Sequence, residues 1–138
     1  MKVFIAGATG AIGRQLVPQL VARGHEVVGM TRSASKQDLV RSLGARAVVA
    51  DALDPDAVAE VVALAEPEVI VHQLTALSGK MSFRDARHPE RSSGAIMTNR
   101  LRTEATEHLL AAGGAVGARR FVAQSFGPLV IVALLPMM

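Results

Sequence analysis

The chain has 138 residues, half of them apolar, which is enough for one hydrophobic core and too few for two ordinary domains. It contains no cysteine, which excludes disulfides, thiol catalysis and thiolate metal sites, and no tryptophan or tyrosine, which leaves Val, Leu, Ala and Ile to build a core suited to buried parallel strands. The formal charge is +3, and twelve arginines and three lysines are spread along the chain without aromatic interleaving, so the basic residues read as a solvated surface rather than a nucleic-acid footprint.

Val3, Phe4, Ile5 and Ala6 give the first strand signal. The apolar stretch reaches Gly7 too soon to be the core of a signal peptide, so a cytoplasmic protein is expected. The segment Gly7-Ala8-Thr9-Gly10-Ala11-Ile12-Gly13 then leads into a helix predicted over 11–22, with Ile12, Leu16 and Leu20 on one face and Pro18 placed to bend it. Three glycines between a strand and a helix permit a tight turn, close approach of a pyrophosphate to the backbone, and close packing of helix on strand. The ligand's charge would face the free N–H groups and the positive dipole end of that helix. Strand, glycine turn and helix in this order predict a dinucleotide-binding turn.

Further short apolar runs at 27–30, 47–50, 69–71 and 121–123 read as the second to fifth strands. Between the third and fourth, Asp54 is placed as a helix N-cap and Pro55 at the first helical position, with Leu53 and Val58 spaced for a hydrophobic staple. The longest helical stretch is predicted over 98–112. Strands alternating with helices require parallel pairing through right-handed crossovers. The expectation is a single doubly wound α/β domain over 1–127, Rossmann-like, of about five strands in the order 3-2-1-4-5, with a cofactor across the carboxyl ends of strands 1 and 4.

The end of the second strand bears on the choice of nicotinamide cofactor. A carboxylate there, about 20 residues beyond the glycines, would bond the ribose 2′-hydroxyl of NAD. The residues present are Thr31, Arg32 and Ser33, a guanidinium between two hydroxyls, which suits the 2′-phosphate of NADP. Asp51, just past the third strand, would either accept from the adenine amino group or cap its own loop.

These residues carry a resemblance. The Gly7, Gly10, Gly13 turn, residues 49–54 after the third strand, 69–76 through the fourth, Thr106 with 109–112 in the long helix, and 119–125 at the fifth strand match the extended or atypical short-chain dehydrogenase/reductases, the NAD(P)-dependent epimerase/dehydratase group, in order and spacing. The resemblance implies that Ala8, Thr9, Gly10, Ala11, Ile12 and Gly13 touch the pyrophosphate, that Thr31 and Arg32 hold the adenosine phosphate, and that Asp51 and Ala52 meet the adenine. It further implies that Leu74, Thr75 and Ala76 line the ribose and nicotinamide side, and that Ser125 stands where the family closes its fifth strand with a pair of serines.

The same resemblance implies a tyrosine acid/base with a lysine four residues on, yet the chain has no tyrosine, and Lys2, Lys36 and Lys80 all precede the fifth strand. The family's helix asparagine falls on Arg102 and its glycine on Ala105; Asn99 is one turn earlier. No catalytic residue is therefore assigned, and the function expected is a dinucleotide-binding domain related to reductases and epimerases. The alternatives are a non-catalytic sensor or interaction module and a non-functional truncated product. The apolar run at 129–135, within a tail over 128–138, is too short to span a bilayer. It would pack as an edge, join the same run of a second copy, or be the remnant of a longer gene. His25, His72, His88 and His108 have no helical metal-ligand spacing, so no metal is expected. The mixed-charge segment 84–94 reads as a solvated loop.

Overall fold

The computed structural model describes residues 1–76 and 93–124. Five parallel strands, β1 (Lys2–Ala6), β2 (Glu26–Thr31), β3 (Arg46–Val49), β4 (Val69–His72) and β5 (Arg120–Ala123), form one sheet in the order β3-β2-β1-β4-β5. This is the Rossmann-like order expected from the alternation of strands and helices. Ala6 lies in register with Met30 on one side and His72 on the other, so the carboxyl ends of β1, β2 and β4 form one crest.

Burial on both faces explains the nearly continuous apolar runs. In β1, Val3 and Ile5 point into a cluster with Val17 and Val40, whereas Phe4 and Ala6 point into a second cluster with Val58, Val62 and Leu109. Each fully buried valine, leucine, isoleucine or phenylalanine side chain contributes about 1.5–3 kcal/mol over leaving it in water. The first cluster is covered by α1 (Gly13–Ala22) and α2 (Gln37–Ser42), the second by α3 (Pro55–Ala65) and by a long helix on the other face.

The sequence-predicted boundaries shift where tertiary contacts decide them. Helix α1 starts at Gly13 rather than at residue 11, because Ala11 and Ile12 complete the glycine turn; Pro18 lies within it. At the start of α3 the Asp54 carboxylate accepts from the Asp56 and Ala57 amides at 3.1 and 3.2 Å, so the cap forms as expected, and Val58 is fully buried. The long helix extends beyond 98–112 at both ends. It comprises α4 (Ser93–Arg100), a π-helical turn at Leu101–Ala105, and α5 (Thr106–Ala115). Among the described residues no helix is long and apolar enough to cross a membrane. The tail over 128–138 and residues 84–92 of the polar segment lie outside the described residues.

Candidate dinucleotide site

The crest is built first by the glycine turn. Gly7 has φ +90°, and a β-carbon on it would lie 2.7 Å from the Gln73 carbonyl oxygen, so both backbone conformation and the neighbouring strand end require glycine there. The Gly7 and Ala8 amides reach the Met30 carbonyl at 3.4 Å, and the Gly10 amide closes the turn on the Gly7 carbonyl at 3.2 Å. From outside, the Arg14 guanidinium donates to the Thr9 carbonyl at 2.8 Å.

No hydrogen bond among the described residues uses the amides of Ala11, Ile12 or Gly13 at the start of α1. Three unspent donors at the positive end of a ten-residue helix make a ready anion cradle. Above them Gly10 is open, since a β-carbon there would meet only the Gly7 carbonyl oxygen at 3.4 Å. The Gln73 side-chain oxygen beside this turn is buried with no hydrogen-bond partner among the described residues.

At the end of β2, Arg32 is exposed and makes no hydrogen bond or ion pair with the described residues. Thr31 is different: it is buried, and its hydroxyl accepts from the Ser33 amide at 3.3 Å, shaping the turn that presents Arg32. The Ser33 and Ser35 hydroxyls share a hydrogen bond at 2.7 Å. Past β3, Asp51 Oδ1 accepts from the Leu53 amide at 3.0 Å and so caps its own loop. The carbonyl of its buried neighbour Ala52 accepts from His108 Nδ1 on α5 at 2.9 Å.

Sequence reasoning missed the role of the residues around the end of β4. His72 is buried, with Nδ1 accepting from the Leu74 amide at 3.2 Å, so that Nε2 carries the proton and donates to the Leu101 carbonyl in the π turn at 2.9 Å. Burial holds this imidazole below its ordinary pKa, opposed by the bond to Leu101 and assisted by the charge of Arg102. Thr98, also buried, accepts the Ala76 amide at 3.0 Å. A small cleft here is lined by His72, Gln73, Leu74, Thr75, Arg102 and Gln124. The bare spacing of His72 two residues before Leu74 was the only local signal for this arrangement. Gly7 to Gly13, Thr31 to Ser33, Asp51 and Ala52, and Leu74 to Ala76 thus all lie at the carboxyl ends of the strands, whereas Ser125 lies outside the described residues.

A protein-family model described as NAD(P)H-binding matches residues 7–129. A 3-diazoavenalumate denitrifying reductase from a Streptomyces species is 50% identical over 125 residues, covering 91% of this chain and 38% of that protein. Among solved structures, UDP-glucose-4-epimerase from Stenotrophomonas maltophila with bound NAD and formylated UDP-arabinopyranose aligns at a TM-score of 0.69 and 21% identity, over 94% of this chain and 38% of that one. The Bordetella bronchiseptica enzyme WbmG in complex with NAD and UDP aligns at 0.67 and 18% identity, over 89% and 36%. The structural likenesses establish the fold, and the chain spans less than two fifths of each of these relatives.

Proposed function

Because this chain belongs to the NAD(P)H-binding family, we propose that it is the cofactor-binding half of a reductase or epimerase and that its dinucleotide is NADP(H). The observation that carries the reading is the set of unspent amides at Ala11, Ile12 and Gly13 beneath an open Gly10, which offers donors, dipole and space to a pyrophosphate. The unpaired Arg32 at the end of β2, with Ser33 beside it and no carboxylate in the Thr31–Ser33 turn, favours the 2′-phosphate over a free ribose. Asp51 and Ala52 would flank the adenine, and Leu74, Thr75 and Ala76 the ribose and nicotinamide side.

When bound, the nicotinamide supplies hydride transfer. This chain's residues bind and orient it. General acid/base catalysis typically adds about 10²–10⁴-fold. The tyrosine and lysine that resemblance to the dehydrogenase/reductases calls for are not among these residues, so the proton and the substrate would be handled by other groups. A substrate related to those of the reductase or the epimerases follows only at that level of class.

Calorimetric titration with NADPH and NADH tests the reading. NADPH is expected to bind the tighter, and Arg32→Ala to remove most of that preference, about 10- to 100-fold for hydrogen bonds between charged groups worth about 1.5–3 kcal/mol. A folded, monodisperse chain that binds neither nucleotide would overturn the proposal; tighter binding of NADH would overturn the NADP assignment alone. The latter result would leave the dinucleotide site standing.

A further inference from the structure

Residues 73–76 leave β4 at the crest, and three of their four amides, those of Gln73, Leu74 and Ala76, find partners within the described residues. Gln73 donates to the Ala6 carbonyl at 2.9 Å, which continues the sheet ladder. Beyond it the ladder gives out and side chains take over: Leu74 donates to His72 Nδ1 and Ala76 to Thr98 Oγ1. His72 is 4% exposed and Thr98 2%, so water does not compete readily for either bond.

The two supports are joined through the long helix. Thr98 and Leu101 are three residues apart and share a helix face, and the Leu101 carbonyl accepts the other nitrogen of His72 in the π turn. Such turns recur at functional sites. One imidazole therefore bridges the turn at 73–76 and the helix, and a hydroxyl from the same helix pins the far end of that turn.

We propose that His72 and Thr98 are positioning residues that set the backbone of residues 73–76 and so hold the nicotinamide end of the dinucleotide in place. The inference rests on the dinucleotide reading above. Neither residue touches the ligand in this scheme; each acts through the Leu74 or Ala76 amide. A consequence follows from the ring's tautomer. Protonation of His72 would put a hydrogen on Nδ1 facing the Leu74 N–H, donor against donor, and break that support. The charged group facing the ring is Arg102 from the π turn, which opposes protonation, while β5 presents the edge of Phe121 at a centroid distance of 6.4 Å and no charge.

The test is NADP⁺ titration between pH 5 and 8, together with amide hydrogen exchange of the unliganded chain, on His72→Phe, His72→Asn, Thr98→Val and Thr98→Ser. At neutral pH, His72→Phe and Thr98→Val are expected to weaken binding about tenfold, the scale of one lost buried hydrogen bond. Thr98→Ser restores it to within about twofold of wild type by keeping the acceptor. Exchange should accelerate at Leu74 in the His72 variant and at Ala76 in Thr98→Val. His72→Asn should lose the part of the acid dependence that wild type shows beyond titration of the nucleotide's own phosphate. Unchanged affinity in Thr98→Val and His72→Phe, or the same pH profile in His72→Asn and wild type, would overturn the proposal, even with faster exchange. Should His72→Phe not fold, the Ser and Val pair at Thr98 decides. If wild type binds no nucleotide, the dinucleotide reading fails and the positioning role falls with it; exchange then still reports whether His72 and Thr98 secure the turn.

Discussion

A β-carbon placed on Gly13 would stand 2.7 Å from the carbonyl carbon of Ala8, so the first turn of α1 rests directly on the backbone of the glycine turn. The atoms an added β-carbon would meet are all backbone, with no flexible tip to move aside. Gly13→Ala is expected to destabilise the chain by about 1–3 kcal/mol or more, as overpacking does, measured by urea unfolding.

Gly10 should behave in the opposite way. Its added β-carbon meets ordinary contact with Gly7, so Gly10→Ala should leave the unfolding midpoint almost unchanged. Because the methyl would occupy the approach to the unspent amides, nucleotide affinity should fall by roughly 1–3 kcal/mol. Unaltered affinity would place the pyrophosphate elsewhere.

Asp54→Ala removes an acceptor from two amides at the start of α3, the helix whose Val58, Val61 and Val62 fill one face of the core. A loss of about 1 kcal/mol is expected, whereas Asp54→Asn should be nearly neutral because the amide oxygen still caps. Chemical denaturation of the pair distinguishes capping from charge.

Glu68 gathers the starts of three strands. Its carboxylate accepts the Lys2 amide at 2.9 Å and its carbonyl accepts the Arg119 amide at 2.8 Å. The bond from Lys2, then the nearby N-terminal amine, Arg119 and Lys2 charges, hold its pKa below the ordinary 4.5. A carboxylate depressed on folding stabilises above its unfolded pKa, and that contribution is lost as pH falls through the lower folded value. Glu68→Gln should therefore flatten part of the stability profile below pH 4.5, read from thermal midpoints against pH.

His72 gives the corresponding effect nearer neutrality. Its folded pKa lies below 6.5, chiefly through burial, so the unfolded chain takes up the proton first. The stability it protects is complete above pH 6.5 and declines as pH falls from there toward the folded value. Comparing the unfolding midpoints of wild type and His72→Asn across that window should show the decline in wild type alone.

The sequence by itself determined what depends on neighbours along the chain. The glycine spacing of the first turn, the Asp54-Pro55 helix start and the short apolar strands all follow from local sterics, capping and burial on two faces, and parallel pairing follows from right-handed crossovers, with the order β3-β2-β1-β4-β5 the favoured one of those they allow. Tertiary structure decided what depends on residues brought together from afar. His72 meets Leu101 across 29 positions, Ala76 meets Thr98 across 22, and His108 reaches the Ala52 carbonyl across 56. A histidine's tautomer or a helix's π turn is set by which carbonyl or amide the packed sheet places opposite it, and no periodicity in the chain encodes that distance.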